Sequence, residues 1–189
     1  MAKNTHLTHI EDRIITDGAS GAKEAIEMLK YMGDFLSGKP GGRPLVTEKW
    51  DGAPAVICGT NPENGQFFVG TKSVFAKTAP KICYSYEDID RFYSGVLAEK
   101  LKACFTYLNG KVKGVLQGDL MFTNDKKQEI IDGKQYVTFR PNTLTYAAPI
   151  DSDVGKQIQQ AKLGIVFHTK YSGRTMQAMT AGFNVSDAD

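Results

Sequence analysis

The chain has 189 residues, of which 41% are apolar and 23% are charged, and its formal net charge is +2. These values are typical of one soluble globular domain that buries a sizeable core. No run approaches the roughly 20 apolar residues that span a bilayer, so we expect a cytoplasmic protein without a membrane partner. The weak positive charge permits an anionic partner but does not demand one, because nucleic-acid-binding domains are usually more basic.

The cysteine pattern argues against disulfides and zinc. Cys58, Cys83 and Cys104 are odd in number and widely separated, and none lies in a CxxC pair. Such cysteines are typical of reduced thiols in an intracellular protein.

The first third of the chain predicts a helix followed by strands. Apolar residues recur at helical spacing over 20–37, with Ser20 as the N-cap. The predicted buried stripe consists of Ala22, Ala25, Ile26, Leu29, Met32 and Leu36. The sequence GKPGG then ends the helix, and strand patterns follow at 45–50, continuing past a glycine as 54–58, and at 66–75.

The remainder predicts an alternation of helices and strands. Ser85 and Asp88 form a capping-box pattern at the start of a helix over about 86–108. Its predicted buried face is Ile89, Phe92, Val96, Leu101, Cys104, Phe105 and Leu108. Further strands are predicted at 113–123 and 142–148, a hairpin at Asp132-Gly133, a helix at about 152–162 and a last strand to 171.

These elements predict a single α+β domain, an antiparallel-rich sheet with packed helices. We expect a helical segment over 1–44, a core over 45–171 and a weakly structured tail over 173–189. Lys126 and Lys127, in a polar loop before the hairpin, are interpreted as solubilising residues. Oligomeric state is not indicated by any pattern.

The stretch EKWDG at 48–52 is unusual within a strand. Alternation along an extended chain places Lys49 and Asp51 on one side, and Glu48 and Trp50 on the other, with Trp50 directed into the core. Gly52 lets the backbone approach a ligand closely. Lys49 therefore suits an anionic group or a nucleophilic role, which needs a lowered amine pKa. A surface hairpin with a Lys-Asp ion pair and an Asp-Gly turn explains the same residues.

EKWDG resembles motif I, Lys-x-Asp-Gly, of the covalent nucleotidyltransferases, which comprise DNA ligases, RNA ligases and mRNA capping enzymes. The preceding Glu48 is similar to that of phage-type RNA ligases. The resemblance implies a ligase-type, ATP-grasp-like core in which Lys49 attacks the α-phosphate of ATP, with Mg²⁺ as cofactor, and retains AMP. Asp51 would orient the lysine, while Glu48 and Gly52 would contact the nucleotide.

Two further stretches resemble the next motifs of that family. In FVGTKSVF, Lys72 follows Thr71 where the family usually has an arginine that contacts the nucleotide or the nick. In VLQGDLMF, Asp119 occupies the acidic position of motif III and would bind the ribose or the metal ion. An aspartate at a strand edge or turn is the structural alternative.

The likeness weakens towards the C-terminus. Tyr146 in NTLTYAAP is the candidate for stacking on adenine, although a strand tyrosine is often a core residue. KLGIVFHTKY resembles motif IV with Leu163 in place of its glutamate. Alternation predicts that His168 and Lys170 share a face, towards either phosphate or water. No stretch resembles the Lys-x-Lys of motif V, and we expect no second ligase domain.

The sequence therefore leaves two principal functions open. One is an ATP-dependent nucleotidyltransferase acting on a nucleotide, with nucleic acid as a possible acceptor. The other is a catalytically degenerate protein of the same fold that binds a nucleotide, nucleic acid or another phage protein. HLTHIED, KWDGAPAV and FRPNT are also similar to uncharacterised tailed-phage proteins, which implies the cytoplasm of an infected host cell. A structural phage component is a third alternative.

Overall fold

The computed structural model describes residues 9–39, 48–182 and 185. The chain forms two compact units, because Asn4–Lys49 cluster together and Trp50–Asp189 belong to a second cluster.

The described part of the N-terminal unit consists mainly of two helical segments joined at a kink. α1 spans Ile10–Leu36 and is interrupted at Gly18, whose φ of 57° and ψ of −131° are not helical. The chain folds back there, since Arg13 and Glu24 form an ion pair of 2.7 Å across eleven residues. A Cβ on Gly21 would lie 1.8 Å from the carbonyl oxygen of Arg13, so only glycine permits this approach.

The helix predicted for 20–37 corresponds to the part of α1 that follows Gly18, and Gly18 rather than Ser20 is the non-helical residue before it. Another helical segment precedes Gly18. The backbone N–H of His9 donates to the Asp12 carboxylate and Ile10 is the first helical residue. The predicted buried stripe is also wrong in large part. Ala25 is buried, whereas four of the other predicted members are exposed, namely Ile26, Leu29, Met32 and Leu36.

The second unit has two antiparallel sheets. The strands are β1 (Ala55–Thr60), β2 (Phe67–Gly70), β3 (Val115–Phe122), β4 (Lys127–Ile131), β5 (Lys134–Phe139), β6 (Tyr146–Pro149), β7 (Gly164–Ser172) and β8 (Thr180–Gly182). The five-stranded sheet has the order β2-β1-β3-β7-β8, and the three-stranded sheet has the order β4-β5-β6. The helices are α2 (Tyr86–Phe92), α3 (Gly95–Leu108) and α4 (Asp153–Gln160), with 3₁₀ segments at Lys72–Phe75 and Met176–Ala178. The predicted α+β class with antiparallel sheets is confirmed.

The five-stranded sheet is covered on both faces. On one face Val56, Cys58 and Leu120 pack against α3 through residues such as Leu101 and Cys104. The other face packs against the two 3₁₀ segments and their neighbours, in a cluster of Ile57, Phe68, Val74, Val115, Tyr171, Met176 and Met179. Both faces of the central strands are therefore apolar, and a charged side chain there has to be explained.

Two boundaries in this unit differ from prediction. The residues 48–54 form no strand, and β1 begins only at Ala55; residues 45–47 lie outside the described residues. The strand predicted for 66–75 ends at Gly70, because the Thr71 side chain caps the following 3₁₀ segment by accepting from the Ser73 N–H.

The helix predicted for 86–108 is two helices. Ser85 caps α2 through the Asp88 N–H, as predicted. The chain then leaves helical geometry at Tyr93, whose hydroxyl lies within hydrogen-bond distance of the Thr71 and Ser73 hydroxyls. The break changes the helical phase, so Val96 is exposed rather than buried.

The described end of the chain is ordered into secondary structure. β8 pairs with β7 from Thr180 to Gly182, and the Met176 N–H donates to the Glu63 carboxylate at 2.9 Å. The weakly structured tail predicted from 173 onward is therefore wrong over 176–182.

Candidate functional site

The Asp51 carboxylate is anchored to a distant loop. Asn142 Nδ2 donates to Asp51 Oδ1 at 3.0 Å, and the Thr143 N–H donates to Oδ2 at 3.1 Å. A longer contact of 3.4 Å joins the Leu144 N–H to the same oxygen. The Asp51 backbone N–H in turn donates to the Tyr146 hydroxyl at 2.8 Å. Asp51 therefore fixes the segment after Lys49 to the loop that precedes β6.

The next residue, Gly52, lies directly against β3. A Cβ placed on Gly52 would be 2.6 Å from the Cβ of Asp119 and 3.0 Å from the carbonyl oxygen of Leu120. The contact is secured by paired backbone hydrogen bonds, from Ala53 N–H to Leu120 O and from Leu120 N–H to Pro54 O. Only glycine, which has no side chain, permits this approach. The glycine of EKWDG therefore allows Asp119 to lie beside Gly52.

Asp119 on β3 lies next to a histidine on the neighbouring strand, β7. Asp119 Oδ1 lies 3.7 Å from His168 Nε2, and the two side chains are 21% and 30% exposed. His168 Nδ1 lies 2.8 Å from the Thr169 hydroxyl, which restricts the orientation of the ring. An acidic side chain and a histidine thus meet, partly accessible, on a sheet face whose nearby buried polar residues are Gln117 and Thr169.

A β-bulge gives His168 this position. The β3–β7 register shifts between Gln117 and Gly118, where Gln117 pairs with Thr169 but Gly118 pairs with Phe167. A bulge places two successive side chains on one side of a strand and changes the alternation beyond it. His168 therefore faces Asp119 even though Thr169 keeps its own place in the core.

Lys170 lies on the other face, so its predicted alignment with His168 is wrong. Lys170 pairs with Leu116, whose side chain packs towards α3, and Asp119 is three residues further along β3. Residues separated by three positions in a strand point to opposite faces. The ammonium group of Lys170 therefore does not join the Asp119–His168 pair.

Tyr146 is already engaged by two aromatic rings. Its ring centroid is 5.4 Å from Phe139, with the planes at 16°, and 5.2 Å from Trp50, with the planes at 32°. Trp50 is 38% exposed, so the expectation that it points into the core is wrong. Among these three rings Trp50 is the exposed one, Tyr146 is half-buried and Phe139 is buried.

The remaining predicted residues are exposed. Glu48 and Lys49 are both exposed and are the last two residues of the N-terminal unit. Lys72 is exposed at the start of its 3₁₀ segment. The structure thus brings together Asp51, Gly52, Asp119, Tyr146 and His168.

Sequence reasoning did not identify Asn142 and Thr143. They lie 91 and 92 residues from Asp51, and no spacing rule connects positions so far apart. The only local signal is their place after Pro141, where Asn and Thr are typical loop residues with side chains free to bond nearby backbone or polar groups.

The residues of the site could bind Mg²⁺ only if a bound nucleotide supplied some of its ligands. No group of three or more His, Cys, Asp or Glu side chains converges in the described part of the chain. Mg²⁺ is commonly held by one or two carboxylates, with phosphate oxygens and water completing its six positions. Asp119 supplies one such carboxylate, and bound phosphates would have to supply other ligands.

Comparisons with known proteins give a family without an activity. A family of unknown function, DUF6267, matches residues 4–189. No curated protein matches the chain, and no solved structure matches it either. Over the residues that are described, none of the helices is long and apolar enough to cross a membrane.

Proposed function

The chain belongs to this family of unknown function, and we propose from its own residues that it is an ATP-dependent nucleotidyltransferase of the RNA/DNA-ligase type. In this proposal the site binds ATP with Mg²⁺, and Lys49 becomes covalently linked to AMP. The ligase-type core and the nucleotide and nucleic-acid partners belong to the same proposal.

The observation that carries the proposal is the meeting of two separate motifs. The Asp-Gly step of EKWDG is held by the 142–144 loop and lies flat against Asp119 of VLQGDLMF. Sixty-seven residues separate Gly52 from Asp119 in the sequence, so their contact is a product of the fold. A surface hairpin with an Asp-Gly turn, the simpler alternative, has no need of this approach.

The chemistry assigned to Lys49 is a single displacement at phosphorus. The neutral Nζ attacks the α-phosphorus of ATP, and a phosphorus–nitrogen bond forms. The bond from that phosphorus to the oxygen bridging the β-phosphate breaks, and pyrophosphate leaves with the electron pair. The proton lost from Nζ passes to solvent. Such steps depend on positioning and charge neutralisation more than on covalent participation by other residues.

The surrounding residues have separate duties in this scheme. Asp51 is a positioning residue, because its carboxylate is occupied by the Asn142 and Thr143 donors and fixes the chain after Lys49. Asp119 would hold a ribose hydroxyl or Mg²⁺, which would neutralise phosphate charge when bound. His168 lies beside Asp119, with its Nε2 3.7 Å from Asp119 Oδ1, and would contact a ligand bound there.

Intact mass spectrometry tests the proposal. The purified protein, freed of any AMP acquired in the expression host, is incubated with ATP and Mg²⁺ beside the Lys49→Arg variant. A mass increase of one AMP in the wild type alone is expected. Lys49→Arg retains the positive charge but lacks a nucleophilic amine. Absence of an adduct on folded wild-type protein would contradict the proposal.

A second function is favoured by the distribution of cations. Lys170 lies on the face opposite to Asp119, and the side chain of Lys72 is exposed to solvent. A triphosphate normally needs several cationic partners, so a binding protein that has lost catalysis fits this arrangement. Calorimetric titration with ATP and Mg²⁺ separates the two functions, because the binding protein takes up ATP without forming an adduct.

A further inference from the structure

We propose that the exposed indole of Trp50 is a stacking site for an unpaired nucleobase. This rests on the proposed function where the base belongs to ATP, and it adds the residue that receives the base. The family resemblance pointed to Tyr146 for that task, but the Tyr146 ring is already packed against Phe139 and Trp50.

The indole is held from beneath by a fixed partner. Tyr146 packs at 5.2 Å from Trp50, and its hydroxyl accepts the Asp51 N–H at 2.8 Å. Behind it, Phe139 stacks at 5.4 Å and is buried. A series of three rings therefore runs from the core to the surface. The outermost ring is restrained before any ligand binds, which reduces the entropy lost on stacking.

The indole of Trp50 leaves part of its surface exposed to solvent. The Trp50 side chain packs against Tyr146, yet 38% of it remains exposed, so apolar surface of the indole is in contact with water. Leu144, on the loop that holds Asp51, is also exposed. Aromatic rings with one free face are the recurring means by which proteins bind bases without reading their sequence.

A cation lies on the same loop. Arg140 is exposed, and its Nε donates to the carbonyl oxygen of Asn142 at 3.3 Å, which leaves its terminal nitrogens available to a phosphate group. Asn142 in turn holds Asp51, the residue next to Trp50. In proteins that bind nucleotides or single strands, aromatic rings stack on the bases and guanidinium groups bind the phosphates.

The chain offers a direct optical readout, because Trp50 is its single tryptophan. Tryptophan fluorescence is titrated with ATP, with tripolyphosphate and with an oligothymidylate strand, all in the presence of Mg²⁺. Stacking predicts quenching by ATP or by the strand and none by tripolyphosphate, which lacks a base. Quenching by ATP alone identifies a nucleotide site, and quenching by the strand identifies a nucleic-acid site.

Calorimetry on variants provides the matched control. Trp50→Ala is expected to lower the affinity for the quenching ligand on the order of 10- to 100-fold, since stacking on one base has that magnitude. Trp50→Phe should retain most of the affinity. Tyr107, which is 39% exposed on α3, provides a control, and Tyr107→Ala should bind as the wild type does.

The outcomes separate this proposal from the proposed function. An AMP adduct on Lys49 without base-dependent quenching would overturn the stacking site and leave nucleotidyl transfer standing. Base-dependent quenching without an adduct would support the stacking site and overturn nucleotidyl transfer. Unchanged affinity in folded Trp50→Ala, or no binding by any of the three ligands, would also overturn the stacking site.

Discussion

Asp51 illustrates how a residue acquires its role from partners far away in the sequence. The family resemblance implied that Asp51 orients Lys49, and in the structure its carboxylate accepts hydrogen bonds from residues 142 and 143. Asp51 was identifiable from the sequence as a candidate site residue. Its partners were not, because a single sequence carries no signal that links loops 91 residues apart.

Gly52 gives the sharpest prediction at the residue scale. In Gly52→Ala the new Cβ would lie 2.6 Å from the Cβ of Asp119, closer than such atoms approach, so the two segments must separate. Overpacking of this kind typically costs about 1–3 kcal/mol of unfolding free energy. Urea denaturation measures it, and nucleotide affinity should fall in parallel.

The control for that variant is Gly33→Ala, in α1. A Cβ on Gly33 meets nothing within 4 Å, and alanine is the better helix former. Its unfolding free energy should remain the same or rise by up to about 1 kcal/mol. Equal effects of the two substitutions would show that the close approach of Gly52 to Asp119 does not exist.

At the scale of helices and strands, the sequence predicted the features that depend on neighbouring residues, such as turns and helix caps. The Asp132-Gly133 hairpin forms as predicted, with φ values of 48° and 76° that suit this residue pair, and the Ser85 cap forms as well. The break between α2 and α3 was not predicted, because the hydroxyl groups that contact Tyr93 at the break belong to Thr71 and Ser73, about 20 residues earlier in the chain. The bulge that turns Lys170 away from Asp119 likewise has no sequence signature.

Lys126 contacts the C-terminal end of α4. Its interpretation as a solubilising loop residue is wrong, because its ammonium group donates to the carbonyl oxygens of Ile158, Gln159 and Ala161 at the end of α4. Hydrogen bonds from a charged donor stabilise more than neutral ones, and a cation is favoured at a helix C-terminus. Lys126→Met should lower the unfolding free energy by about 2 kcal/mol.

The adjacent lysine is a matched control for Lys126. Lys127 begins β4, every residue of which is exposed, so Lys127→Met should change the unfolding free energy by less than about 0.5 kcal/mol. Both variants are compared by urea denaturation monitored through circular dichroism. Equal destabilisation, or none in Lys126→Met, would contradict the assigned role of Lys126 in holding α4.

At the scale of the whole molecule, the three cysteines report on folding. All three are free and buried, as their scattered positions predicted for reduced thiols. Burial raises the pKa of Cys83 to about 11 and that of Cys104 to about 12, and it raises the pKa of Cys58 as well. Because the thiolate is the reactive form, none should react with a thiol reagent at pH 8 until the protein unfolds.

The same shifts set the sign of a pH dependence. Unfolded thiols ionise near pH 9, whereas the folded thiols stay protonated to higher pH, so rising pH stabilises the unfolded state. The contribution to stability is complete below pH 9 and is lost as the pH rises towards the folded pKa values. The loss between pH 9 and pH 11 should be smaller in Cys83→Ala than in the wild type; an equal loss would contradict the raised pKa of Cys83.

The most direct test of the central claim is to find which residue carries AMP. The protein is incubated with ATP and Mg²⁺, digested under conditions that preserve phosphoramidates, and analysed by tandem mass spectrometry. The proposed nucleotidyl transfer predicts AMP on Lys49 alone, and a lower yield in Gly52→Ala, where Asp119 is displaced. AMP on another lysine, or on none in folded protein, would contradict it.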